Sequence, residues 1–532
     1  MPRPKLGRAF LFFLVAAFIF AVNNATFLGL NAKVFADNLR HQATYAAAGF
    51  AVVLFAVSLL GPAQLQKPYL ILVLLLSAGA SYYQDSLGVR IDREMIQNAF
   101  NSTPREAGHF ITIGLLAKLA FAGLLPSLLV LWVELRPARL WRQLLAWAAT
   151  WIGALLLFCG LIATDFKAYY AVIRGHHELE ASLQPSASIG ALFSFGKMMA
   201  ATASIEAQPL GLDAKPGPQL AAAQKPVLLV LVIGESARAK SFGLAGYPRP
   251  TTPELARHQA VFFDTLACGT STAVAVPCMM SHLPQADYSF EAGRASENLL
   301  DVLAHAGFQV TWLDNNTGDY DVAARQSFTS LTASTDPVAC GKGECNDSIF
   351  LAPLRKVLAS ATQNTVLVLH QVGSHGPPYY LRYPQGFEPF KPACQSSELA
   401  DCTDAEIINA YDNSIAYTDA LLGQIIDLLQ GQTRLLTTLV YQSDHGESLG
   451  EGGIYLHSAP YFIAPEEQLH AATLLWTAPD FQTQLGIAQS CLSAKAGTQI
   501  SHDNLFHTVL GLLNIETTVR NPALDLTADC RP

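Results

Sequence analysis

Five long apolar runs occupy the first third of the chain, and none of them alternates polar with apolar. They are AFLFFLVAAFIFAV (9–22, continuing to about 30), ATYAAAGFAVVLFAVSLL (43–60), PYLILVLLLSAGASYY (68–83), IGLLAKLAFAGLLPSLLVLWV (113–133) and LLAWAATWIGALLLFCGLIA (144–163). Each approaches the roughly 20 residues that cross a hydrocarbon core. Buried helices of a soluble core would not come five in succession, so five transmembrane helices are expected over 1–164. Residues 165–224 follow as a bridging linker. FKAYYAVIRGHHELEASL within it mixes polar and apolar positions and suits a membrane surface, although an ordinary extended linker has the same look.

From 225 to 532 the pattern changes to short apolar runs separated by helix-like stretches. PVLLVLVIG (226–234), FQVTWLD (308–314), TVLVLHQ (365–371) and TTLVYQSD (437–444) read as buried strands. SENLLDVLAHAG (296–307) and DNSIAYTDALLGQIIDLLQ (412–430) read as helices between them. That alternation predicts an α/β sandwich on a largely parallel sheet. Each of the four strands ends in a polar candidate: Glu235, Asp314, His370, and the pair Asp444–His445. Ligand sites of open α/β sheets lie outside the carboxyl ends of the strands.

Composition supports the division. Hydrophobic residues make up 51% of the 532 and charged residues 14%, and the excess lies in the first third. The net charge of −9 argues against a nucleic-acid partner. Arg3, Lys5 and Arg8 precede the first span, Lys67 follows the second, and Arg136, Arg139 and Arg142 sit between the fourth and fifth. The positive-inside rule puts all three groups in the cytoplasm and everything after about 164 outside it, with Lys33 and Arg40 in mild dissent. The first span then reads as an uncleaved anchor, not a signal peptide. Eight of nine cysteines lie in the outer part: Cys268, Cys278, Cys340, Cys345, Cys394, Cys402, Cys491 and Cys530. An even count outside the cytoplasm suggests disulfides, and sequential pairing is the simplest connectivity.

Individually, the polar candidates are weak. Glu235 alone could be a helix-cap neighbour, and DHG alone a turn. Together, Glu235, Asp444 and His445 offer carboxylate and imidazole ligands suited to a catalytic zinc that keeps one position open. A hydroxyl in ACGTSTAVAVPC (267–278) could supply the fourth ligand and the attacking group at once, since a divalent cation activates an otherwise weak alcohol. The same hydroxyls could simply cap a helix starting near 272. His370 is equally readable as a core histidine. His502 and His507 in SHDNLFHT could support the site, while a cap at Ser501 or Asp503 explains the motif as well.

GESARAKSFGLAGYPRPTTP, ACGTSTAVAVPCMMS, HQVGSHGPPYY, NAYDNSIAYTD, SDHGESLGEGGIYLH and SHDNLFHTVLG, in this order, closely resemble the lipid A phosphoethanolamine transferases, which include the mobile colistin-resistance enzymes. The resemblance covers essentially the whole chain. It implies five membrane helices and an alkaline-phosphatase/sulfatase-like periplasmic domain. It also implies a metal site of Glu235, Thr272, Asp444 and His445, with Thr272 the nucleophile. His375 and His457 would contact the phosphoethanolamine group, and in some members a second zinc. Asn98, Ser102 and Glu106 would meet the lipid headgroup together with Thr317. Ser102 stands where the family has threonine, with Thr103 beside it; Thr317 replaces a serine and Tyr320 a lysine.

The implied reaction is zinc-dependent transfer of phosphoethanolamine from phosphatidylethanolamine to a lipid A phosphate through a phosphoethanolamine–threonine intermediate. The implied setting is the bacterial inner membrane with the catalytic domain in the periplasm, as a monomer. The same chemistry on Kdo or a core heptose is the nearest alternative. A tethered sulfatase-type hydrolase would carry a C/S-x-P-x-R signature, which the chain lacks, and the phosphoglycerol transferases lack the cysteine-framed CGTST loop. A membrane sensor or binding module would leave the four metal-site residues as unrelated caps.

Overall fold

The computed structural model describes residues 3–61, 64–341 and 344–531. The chain gathers into two compact units. One takes the residues up to Ile96 and Ile111–Lys197; the other takes Gln97–Phe110 and everything from Met198 onward. These boundaries cut the chain differently from a division at 164 and 224. The linker helices Phe166–Gly175 and His177–Ser182 pack into the first unit, and the polar loop 97–110 belongs to the second.

The first unit is helical, and the expectation of five spans is met only in part. Among the described residues three helices are long and apolar enough to cross a membrane: Gln66–Leu87, Ile113–Trp132 and Leu140–Ala163. A fourth span exists only if Arg8–Val22 and Ala25–Val34 count as one, and these are bent by 67°. The break has a local cause. Asn23 and Asn24 are fully buried at the bend, and the Asn24 amide donates to the Ile19 carbonyl and to Gln184 O, diverting groups from the helical ladder. The run expected at 43–60 does form a helix, Leu39–Val57, which carries Arg40, His41 and Gln42 in its opening turn and is not among these spans.

The second unit is built on an eight-stranded sheet. In chain order its strands are β1 (Val227–Gly234), β2 (Val261–Leu266), β3 (Gln309–Asp314), β4 (Ser327–Ser330), β5 (Thr365–His370), β6 (Leu436–Ser443), β7 (His470–Thr477) and β8 (Gln499–Ser501). Across the sheet they run β8-β2-β7-β6-β1-β5-β3-β4, and every pairing is parallel except those of β7. The four strands read from the sequence are β1, β3, β5 and β6, which lie side by side within the sheet. Every residue of β1, β5 and β6 is buried, as strands covered on both faces must be.

Register then sets the site. Gly234 pairs with Ser443, and His370 pairs with Ile233 on one side and Asp314 on the other. The carboxyl ends of β1, β3, β5 and β6 therefore fall in one row. Four disulfides join Cys268–Cys278, Cys340–Cys345, Cys394–Cys402 and Cys491–Cys530, the sequential pairing.

Leu229 lies at the middle of β1, between Thr438 of β6 and Val366 of β5, with no exposure. Leu229→Ala should cost about 3 kcal/mol by leaving a cavity between two fully covered strands. Denaturant unfolding of the full chain checks this.

Candidate active site

Glu235 leaves β1 just beyond Gly234, whose lack of a side chain is required: a Cβ there would lie 2.2 Å from the Tyr441 hydroxyl. Ser236 follows with φ of +55° and turns the chain away, so the Glu235 carboxylate stays over the sheet edge. Asp444 and His445 leave β6 at the same level. Asp444 Oδ1 accepts from the backbone amides of Ser236 (3.1 Å) and His445 (2.8 Å), which stitches the two strand ends together.

The remaining atoms converge. His445 Nδ1–H donates to the Gly446 carbonyl at 2.8 Å, which leaves Nε2 with a free lone pair. That Nε2 lies 3.4 Å from Glu235 Oε1 and 3.3 Å from Asp444 Oδ2. Among the described residues neither His445 Nε2 nor Asp444 Oδ2 has a hydrogen-bond partner, and both residues are fully buried. Ligand atoms of Glu235, His445 and His457 also lie within 4.8 Å of one another. His457 Nδ1 is held by Glu447 Oε2 at 2.8 Å, and Glu447 in turn accepts from the Tyr379 hydroxyl at 2.6 Å.

Electrostatics define what this cluster lacks. Burial works to raise the Glu235 carboxyl, yet the facing histidines His445, His375 and His457 hold it well below the usual range. Asp444 goes the other way: burial and the Glu235 charge beside it push its carboxyl well above the usual range. Two buried carboxylates at this separation cannot both ionise without a cation. An oxygen–nitrogen donor set with unpartnered, buried ligand atoms fits a divalent metal such as zinc.

Thr272 opens the helix Thr272–Met279 and is 4% exposed. Its hydroxyl donates to Glu235 Oε2 at 2.9 Å. The loop before it is closed on itself by Cys268–Cys278 and pinned by Thr270, whose hydroxyl donates to the Ala459 carbonyl at 2.6 Å and whose carbonyl accepts from the Ser458 amide at 2.7 Å. Glu235, Thr272, Asp444, His445 and His457 are thus brought together, and the His375 ring lies 5.2 Å from that of His457.

The loop residues divide. Glu106 Oε1 meets His375 Nε2 at 3.1 Å, while its N-terminal position in helix Pro104–His109 is fixed by a reciprocal cap with Thr103. A cleft beside the metal cluster is lined by Thr103, Glu106, Asn316, Thr317, His375 and Arg382. Ser102 does not line it; its hydroxyl donates back to the Asn98 carbonyl of its own turn, and Thr103 takes the lining position. The Asn98 amide donates to Ser458 Oγ at 3.1 Å, next to His457. Thr317 bonds the Tyr320 hydroxyl.

Sequence reasoning missed Asn316, whose amide donates to Glu235 Oε2 (2.9 Å) and to the Gln371 carbonyl (2.8 Å). His370 sits behind it, with Nδ1 on Asp314 Oδ1 at 2.8 Å, so this histidine braces strand ends. Ser236 was also missed; its only signal was position, two residues past the end of β1.

Known proteins resemble this chain along most of its length. A family profile described as Sulfatase matches residues 228–515, and one described as Phosphoethanolamine transferase EptA/EptB matches 49–199. The chain is 39% identical over 487 residues to Phosphoethanolamine transferase EptA of Escherichia coli (strain K12), covering 91% of this chain and 89% of that relative. It is 34% identical over 523 residues to Phosphatidylethanolamine transferase Mcr-1 of Escherichia coli, covering 94% of each. Among solved structures, the integral membrane protein lipooligosaccharide phosphoethanolamine transferase A (EptA) from Neisseria meningitidis superposes with a TM-score of 0.93 at 33% identity, over 99% of this chain and 100% of that one.

The Glu106–His375 pair makes a pH-dependent prediction. Burial would lower the imidazole, but the Glu106 carboxylate overrides it and pushes His375 up to about 9. A raised histidine contributes stability that is full below its unfolded value near 6.5 and is lost as pH rises through about 9. Glu106→Gln should therefore lower the thermal midpoint most near about pH 6, and the difference from wild type should shrink toward pH ~10. Paired melting curves across that range check it.

Proposed function

The chain belongs to the phosphoethanolamine transferase family, and from that premise we propose that it moves phosphoethanolamine from phosphatidylethanolamine to a phosphate of lipid A. The observation that carries the reading is the Thr272 hydroxyl, buried and donating to Glu235 at the edge of a carboxylate–imidazole cluster that requires a cation. Glu235, Asp444, His445 and Thr272 are the residues that would hold zinc, with His457 in reach of the same position. Bound zinc supplies a positive charge that favours the threonine alkoxide and the non-bridging phosphoryl oxygens.

In the first step Thr272 Oγ attacks phosphorus, the threonine–phosphorus bond forms, and the bond to the diacylglycerol oxygen breaks. The threonine proton passes toward Glu235, already its hydrogen-bond acceptor. The leaving oxygen takes a proton from a histidine facing the cleft. His375, held up to about 9, carries one at neutral pH, and His457 is the second candidate. In the second step an oxygen of the acceptor phosphate attacks the same phosphorus and the threonine–phosphorus bond breaks; Thr272 Oγ takes back the proton held at Glu235, and the proton of the acceptor's P–OH returns to the histidine. Glu106 and Thr103 line the side of the cleft where an ammonium headgroup would sit, and Glu106 supplies the anionic charge.

Four disulfides and a set of basic residues flanking the apolar helices support an inner-membrane protein with its catalytic unit in the periplasm. Adding a cationic group to a lipid A phosphate lowers the negative surface charge that attracts polymyxins, so expression should protect cells from them.

Thr272→Ala should keep a cooperative thermal transition and lose the covalent phosphoethanolamine adduct. Intact-protein mass spectrometry after incubation with phosphatidylethanolamine vesicles reads this directly, and an adduct surviving in the variant overturns the nucleophile. Mass spectrometry of lipid A from expressing cells reads the acceptor: a gain of one phosphoethanolamine is expected there. A gain confined to the core oligosaccharide would move the acceptor to Kdo or heptose.

A further inference from the structure

The loop that carries Thr272 and the strand that carries Asp444 and His445 are not neighbours. Cys268 follows β2 and Asp444 follows β6, and β7 runs between them in the opposite direction. The Cys268–Cys278 disulfide ties the start of the loop to the far end of the helix Thr272–Met279, so it fixes the shape of this segment and makes no link to the Asp444–His445 arm. The Thr270 contacts tie the loop to Ser458 and Ala459, which positions it against the His457 arm. A different group must set its distance from the Asp444–His445 arm.

His502 spans that gap. It directly follows β8, whose Ser501 pairs with Leu266 at the end of β2, and its own amide donates to the Leu266 carbonyl at 3.0 Å. Its side chain is 1% exposed and makes two bonds. Nδ1 accepts from the Cys268 amide at 3.2 Å, the first residue of the closed loop. Nε2–H donates to the Ser443 carbonyl at 3.0 Å, the residue before Asp444. An amide can only donate and a carbonyl can only accept, so one neutral tautomer satisfies both. Burial favours that neutral form and takes the imidazole down to about 4.

Ser443 passes the constraint on. Its hydroxyl donates to the His445 carbonyl at 3.0 Å and accepts from the Ala237 amide at 2.9 Å, two residues past Glu235. The helix-cap reading of this motif does not hold: no side-chain cap closes the start of helix Asp503–Leu512, and Asp503 Oδ1 instead accepts from the Gln285 amide. His507 is elsewhere engaged, accepting from the Asn521 amide.

We infer that His502 is a positioning residue for phosphoethanolamine transfer, a two-ended brace that sets the Thr272 loop at its working distance from the Asp444–His445 strand. This rests on the reading of Thr272 as the nucleophile. It acts through Cys268 and Ser443 and touches neither metal nor substrate.

Two near-isosteric variants of the full-length protein separate the ends of the brace. In His502→Asn the side-chain oxygen can still accept from Cys268, but nothing reaches Ser443. In His502→Gln the amide can still donate to Ser443, but the Cys268 amide loses its acceptor. Both should retain stoichiometric zinc and a cooperative thermal transition. Both should form the Thr272 adduct from phosphatidylethanolamine vesicles about 100-fold more slowly than wild type, the loss expected from a displacement near 1 Å. Independently of activity, amide exchange in the peptide containing Cys268 should quicken by roughly tenfold in His502→Gln and stay near wild type in His502→Asn. Adduct rates within twofold of wild type in both variants would overturn the brace. So would loss of the thermal transition in both, which would make His502 a folding residue. Absence of adduct in the wild-type chain is a separate failure: it removes Thr272 as nucleophile and the brace with it.

Discussion

Two carboxylates buried at the ends of adjacent parallel strands constrain everything around them. Glu235 and Asp444 are at the same level because Gly234 pairs with Ser443, and both are sealed from water. Such a pair is strongly unfavourable by itself, and the surrounding chain is arranged to make it tolerable. Asp444 spends one oxygen on two backbone amides and leaves the other bare. Glu235 takes hydroxyls from Ser236 and Thr272 and an amide from Asn316. His445 donates its only proton to a backbone carbonyl and so turns a lone pair toward both acids. Every one of these choices leaves negative charge facing a point where a cation is the missing partner.

The parallel sheet sets where these residues start, and much of the supporting shell comes from loops that need tethers. The Cys268–Cys278 bridge shapes one loop, the reciprocal Thr103–Glu106 cap shapes another, and Asp347 receives the amides of Val372 and Gly373 beneath the loop that holds His375. Gly373 has φ of +51°, and a Cβ there would lie 2.7 Å from the Glu235 carbonyl, so the His375 loop and the metal strand can approach only at a glycine. Precision at a loop-built site comes from such a second layer.

How far the sequence revealed this depended on burial. β1, β3, β5 and β6 were legible because central strands of a parallel sheet are continuous apolar runs. β7, HAATLLWT, dilutes its run with small and hydroxyl residues, and β4, SFTS, is exposed throughout, so neither announced itself. Glu235, Asp444 and His445 stood out because each directly follows a legible strand. Asn316 did not, because an asparagine in a polar loop reads first as a turn former. The second helix-forming run, 43–60, was read as a span on its apolar end, while its polar opening turn weighed against that reading. Asparagine pairs inside an apolar run, as at 23–24, carry a bend that hydropathy alone does not register.

The loop 97–110 shows why the two halves of this chain cannot be understood as an anchor and an enzyme. It is bounded on both sides in sequence by the apolar helices, yet it packs as part of the catalytic unit. Three polar ties hold it there: Asn98 to Ser458, Glu106 to His375, and His109 to Glu344, which Arg382 also engages. Thr103 and Glu106 form one wall of the cleft beside the metal cluster. A chain beginning at Met198 would keep the sheet, the disulfides and every metal-site residue, but it would lose that wall and strip His375 of the carboxylate that keeps it protonated. The carboxylate–imidazole cluster and the wall of the cleft beside it are therefore written in different parts of the sequence. The first follows from strand register, and the second requires the segment between the apolar helices.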